Sequence, residues 1–196
     1  MTRRLVIVPL IPPAWSPPGT APDAWRRALA EDVVDLLARL AEVTPAVAVV
    51  KADRALADAV VWPGMRVYEL PALSSDELFA AAYRDGYEQA ALIAPDAPDI
   101  PGMVLGGLLR PLSSRPVSVA PGLTGGLLGL ASVLPVPAWL PALGLDGTPA
   151  QVRAAAPAPG QVAVATGWHR LTGPDALLRL DPGLEGWEAT RALLGG

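Results

Sequence analysis

The sequence predicts an α/β protein: a three-layer arrangement with a mostly parallel sheet and helices on both of its faces. Two observations carry this. Short apolar runs without polar alternation, the pattern of strands covered on both faces, alternate with stretches that repeat apolar residues at helical spacing. The chain also has 52% hydrophobic and 17% charged residues, far too apolar for a disordered chain, over 196 positions, enough for one full core and few enough that two halves would each lie near the lower size limit. One domain over residues 1–196 is expected.

Arg4 to Leu10 is the first such run, and it ends in a proline-rich loop from Ile11 to Thr20. Thr20, with Asp23 three positions on, has the spacing of an N-cap with an acidic first turn. Trp25, Ala28, Leu29, Val33, Leu36, Leu37 and Leu40 then recur at helical spacing. Ala46 to Val50 and Met65 to Leu70 read as the second and third strands, with Ala-rich residues 53–59 between them. Ser74 with Glu77 has capping-box spacing for a helix running to about Gln89. Ala90 to Ala94 is strand-like, Gly102 to Leu112 helical, Val117 to Ala120 a fifth strand and Gly126 to Ala131 a further apolar run. Thr148 with Gln151 repeats the capping-box spacing, and a last helix is expected from about Leu184 to Leu194. This alternation implies parallel strands joined by helical crossovers.

Charge and residue inventory exclude several functions. A net charge of −4 and a pI near 4.9 oppose nucleic-acid binding, which depends on neutralising phosphates with Lys and Arg. The absence of cysteine removes disulfides, thiolate metal sites and thiol nucleophiles. His169 is the sole histidine and no G-x-S-x-G occurs, so a hydrolase triad has no support. Gly167-Trp168-His169-Arg170 reads as a packed turn, and the six dispersed tryptophans as packing anchors. Pro116 to Leu145 carries no charge, but prolines and glycines interrupt any helix there, so no membrane span is expected and the protein is read as cytoplasmic. Leu127 to Leu145 would offer an apolar patch for a homodimer.

In an open parallel sheet, ligands bind beyond the carboxyl ends of the strands. Asp96 and Asp99 follow the run Ala90 to Ala94 directly, and carboxylates are hard oxygen ligands for magnesium or manganese. The same spacing serves equally for a solvated loop at Asp96 and a helix cap at Asp99. The loop before the first helix leads to a helix N-terminus, which can hold phosphate, yet it has no glycine-rich phosphate motif.

Ala91-Leu92-Ile93-Ala94-Pro95-Asp96-Ala97-Pro98-Asp99-Ile100-Pro101, followed by Val119-Ala120-Pro121-Gly122-Leu123-Thr124-Gly125-Gly126-Leu127-Leu128-Gly129-Leu130, resembles a bacterial glycosyltransferase-like and nucleotidyltransferase family. It is the radical-SAM/selenodomain-associated type within the nucleotide-diphospho-sugar transferases. The resemblance implies a Rossmann-like, GT-A-type fold that binds a nucleotide or nucleotide-sugar with a divalent metal. It also implies residue roles: Asp96 and Asp181 as metal ligands, Asp99 as the catalytic carboxylate, and Thr124, Gly125 and Gly126 against the substrate. The chain departs from the family pattern in three places. No cation stands between Pro17 and Asp23, Thr124 and Leu127 replace the Asp and Tyr of D-G-G-Y, and Arg179 replaces an Asp of the late motif. Two functions follow: a nucleotide-binding transferase with degraded catalysis, or a noncatalytic homologue for ligand sensing or protein interaction.

Overall fold

The computed structural model describes residues 2–195. The first four strands are β1 (Arg4–Pro9), β2 (Thr44–Val49), β3 (Arg66–Glu69) and β4 (Gln89–Ile93). They are joined by helices α1 (Pro22–Ala38), α2 (Arg54–Val60) and α3 (Ser75–Arg84). Helix α4 (Gly102–Leu109) leads to β5 (Val117–Pro121) and β6 (Leu127–Val133). Helix α5 (Pro149–Ala155), β7 (Val162–Val164) and two short helices, α6 (Pro174–Leu177) and α7 (Glu188–Leu193), complete the chain.

The strands form one seven-stranded sheet in the order β3-β2-β1-β4-β6-β5-β7. Pairs β1–β2, β1–β4, β2–β3 and β5–β7 are parallel, whereas β6 runs antiparallel to both β4 and β5. The exception is physical. Only residues 122–126 join β5 to β6, a hairpin connection too short for the crossover a parallel pair needs.

Alternation along each strand divides the core in two. Val6, Val8, Val47, Val49, Ala91 and Ile93 pack against α1, α2 and α4 on one face. Leu5, Ile7, Ala46, Ala48, Ala90 and Leu92 pack against α3 and α5 on the other. Helices therefore cover both faces, as the sequence predicts. Among the described residues no helix is long and apolar enough to cross a membrane.

Several local expectations are corrected. Helix α1 starts at Pro22 with Ala21 as N-cap, so Thr20 caps nothing, and proline's fixed φ opens the first turn instead. Ser74 is the N-cap of α3 but makes no side-chain cap bond, and the helix stops at Arg84. The neighbouring Ser75 is held from outside, its N–H donating to Leu143 O and its Oγ accepting from Leu143 N, each at 2.9 Å. The Thr148–Gln151 capping box does form, in both directions. Within Leu127 to Leu145, residues 127–132 are buried in β6 and Leu145 is buried too, whereas residues 133–144 are half-buried or exposed.

Candidate functional site

A cleft of about 450 Å³ opens beyond the carboxyl end of β1, a volume within the range of small-molecule sites. Ile11, Pro12 and Leu73 supply an apolar wall, and the β5–β6 loop, Asp146 and Arg170 also line the cleft. Of the residues assigned to substrate, Thr124, Gly125 and Gly126 all line this cleft.

The two glycines differ in what they make room for. Both adopt positive φ, 115° at Gly125 and 70° at Gly126, a region that favours glycine. A Cβ at Gly125 would meet open space. At Gly126 it would stand 2.5 Å from Leu145 O and 2.8 Å from Arg170 Nη1. Gly125 is thus the glycine open to a ligand, and Gly126 admits this chain's own arginine.

Arg170 determines the state of Asp96. The loop after β4 is enclosed, and Asp96 is only 2% exposed. Its Oδ1 accepts from Arg170 Nε at 2.7 Å and its Oδ2 from Arg170 Nη2 at 2.9 Å, a bidentate charge-assisted pair. The segment carrying Arg170 is fastened on both sides. Thr124 Oγ1 accepts from Arg170 N at 3.0 Å and donates to Arg170 O at 2.7 Å, while Leu171 N donates to Asp96 O at 2.7 Å. Thr124, expected to contact substrate, therefore spends its hydroxyl on locking this segment.

Asp99 is buried nearby in sequence but faces other groups, and Pro101 rather than Asp99 is the N-cap of α4. Trp168 Nε1 donates to Asp99 Oδ1 at 3.1 Å, and His169 Nε2 lies 2.9 Å from the same oxygen. Asp99 Oδ2 is buried without a partner. With its side chain fully enclosed, Asp99 is not among the cleft residues. Asp181, the other carboxylate assigned to metal, is exposed and closes its own turn by accepting from Gly183 N at 2.8 Å.

These donors do not fit a divalent ion. Both oxygens of Asp96 are occupied by a guanidinium, Asp181 serves a surface turn, and the described residues contain no cluster of three or more His, Asp or Glu placed to share a metal. Nor, among the described residues, does a free cation line the cleft. Arg26, the first basic residue after the β1 loop, is held by Asp53, with Nη2–Oδ2 at 2.6 Å, and also donates to Leu10 O.

The residue that sequence reasoning missed is Arg170, placed in a segment read as a packed turn. Its partner lies 74 residues away, so no spacing rule joins them. One signal was available: the chain loses an expected acid at Thr124 and the expected loop cations together, which leaves Asp96 needing a cation from elsewhere.

No protein-family model and no curated protein matches the sequence. Solved structures do match in shape. A protein assigned as a nucleotide-diphospho-sugar transferase from Desulfovibrio desulfuricans is 17% identical, covering 100% of this chain and 98% of that one, with a TM-score of 0.67. CMP:2-keto-3-deoxy-manno-octonic acid synthetase complexed with CTP is 14% identical over 99% of both chains, with a TM-score of 0.58. Glucosyl-3-phosphoglycerate synthase from Mycobacterium tuberculosis, in complex with Mg2+ and UDP, is 14% identical over 98% of this chain and 78% of that one, with a TM-score of 0.59. This chain shares its overall fold with these structures. At these identities the likeness is one of architecture.

Proposed function

We propose that this chain is a cytoplasmic, divergent relative of the radical-SAM/selenodomain-associated transferase type that binds a nucleotide or nucleotide-sugar in the cleft and has lost metal-dependent transfer. The observation that carries the reading is Asp96. The carboxylate best placed after a central strand to hold a cation has both oxygens on Arg170. A cleft of ligand size remains beside it, with Gly125 open to an incoming group.

Recognition without transfer suits the rest of the cleft. Its apolar wall can cover one face of a ring, whereas the cleft-lining charges are Arg170, already neutralised, and the exposed Asp146. Polyphosphate gains nothing from such a surface, so binding is expected to be weak and to draw on base and sugar.

Thermal shift and calorimetry with nucleosides, nucleoside diphosphates and nucleotide-sugars, each in magnesium, manganese or EDTA, test this. The expected result is stabilisation by at least one of these ligands, unchanged by EDTA, and lost when Ala14→Trp fills the cleft away from the ion pair. Failure of every ligand to stabilise the protein would remove the binding reading. Metal-dependent turnover of a nucleotide-sugar would restore an active transferase.

A further inference from the structure

We infer that Arg170 is a cation supplied by the chain itself to an oxygen-lined cage that would otherwise take a divalent metal. Four oxygens converge on its guanidinium. They are Asp96 Oδ1 at 2.7 Å, Asp96 Oδ2 at 2.9 Å, Leu145 O at 2.7 Å and Leu127 O at 3.2 Å. A carboxylate with two backbone carbonyls, drawn from three separate segments, is the donor chemistry of a hard-cation site. Here the enclosed cation is a side chain, 6% exposed.

The surroundings are shaped to deliver that side chain. Gly126 removes the Cβ that would strike Leu145 O and Arg170 Nη1, and Thr124 holds the backbone of Arg170 through both its N–H and its C=O. A planar guanidinium suits the cage because it meets the carboxylate bidentately while its Nη1 reaches both carbonyls, which a lysine could not do. The consequence is electrical. A divalent ion beside one carboxylate leaves a positive surplus that attracts phosphate; Arg170 beside Asp96 leaves none. The site is therefore metal-independent by construction, and Arg170 is a positioning residue that also excludes metal.

This inference rests on Asp96 being the cation-facing carboxylate of the proposed site, and its test needs no nucleotide, so the two can fail separately. The wild-type chain, Asp96→Asn, Arg170→Ala, Asp96→Asn/Arg170→Ala and the neutral pair Asp96→Asn/Arg170→Met are titrated with manganese alone. Free Mn2+ is followed by electron paramagnetic resonance, and stability by thermal melting. The wild type is expected neither to bind Mn2+ nor to shift its melting temperature. Arg170→Ala is expected to bind at least about tenfold more tightly than wild type and to melt higher with the metal, an effect absent in Asp96→Asn/Arg170→Ala. If Arg170→Ala folds only when Mn2+ is present, the cage is supported equally. Wild-type Mn2+ binding that Asp96→Asn abolishes would overturn the inference. So would an Arg170→Ala protein indifferent to Mn2+, folded or unfolded, while the neutral pair folds.

Discussion

Asp96 and Asp32 are both about 2% exposed, and each is gripped by a distant segment from the last third of the chain, but their charges are handled in opposite ways. Asp96 receives a full countercharge from Arg170. Asp32, on α1, receives no cation but hydrogen bonds, from Ala189 N at 3.0 Å on Oδ1 and Thr190 N at 2.8 Å on Oδ2, amides of the first turn of α7 that have no partner within the helix. Burial pushes the Asp32 carboxyl up to about 6, against the hydrogen bonds from Thr190 and Ala189 that pull it down. The difference shows two ways of tying a terminal segment to a core. One is a paired charge that blocks a site, and the other an amide-capped carboxylate whose grip depends on pH.

The same substitution at both positions separates them most sharply. Asp96→Asn leaves a buried guanidinium without its countercharge and is expected to cost about 3–5 kcal/mol in urea unfolding. A cost below about 1 kcal/mol would mean that the pair contributes little net stability.

A smaller effect distinguishes the two glycines beside Arg170. Gly126→Ala combines positive φ with a collision against backbone and should cost about 2–3 kcal/mol. Gly125→Ala faces open space and should cost only the conformational strain, about 1–2 kcal/mol. Equal losses would indicate that room for Arg170 is not what Gly126 provides.

The smallest change at neutral pH belongs to Asp32→Asn. It removes a costly buried charge but also one acceptor, so the net shift should stay within about 1 kcal/mol. Its signature lies in the pH profile. The folded protein keeps the Asp32 proton between the ordinary value of 3.8 and about 6, where the unfolded chain has lost it. This group's contribution is therefore full at low pH and declines as pH rises through that window, by up to about 1.4 kcal/mol per unit. Denaturation curves from pH 4 to 7 should lose that component in Asp32→Asn. An unchanged profile would place the titration elsewhere.

Much of the architecture was legible because it is local. Apolar runs such as Arg4 to Leu10 and Ala90 to Ala94 have no polar alternation since both faces of their strands are covered, and the α1 stripe has one period throughout. Thr124, Gly125 and Gly126, which only the family resemblance pointed to, line the cleft. Capping shows where local reading stops. Thr148 and Gln151 bond each other as their spacing predicts, while the start of α3 is held by Leu143, 68 residues from Ser75.

The sequence by itself determined the layering, most of the strand order's raw material and the candidate carboxylates, because periodicity and loop chemistry act between neighbours. Tertiary structure alone decided what those carboxylates do. Asp96 is a cation ligand in type, but the packing of a segment without period or motif brings Arg170 onto it across 74 residues. An enclosed carboxylate takes whichever cation is nearest, and which one that is depends on the fold.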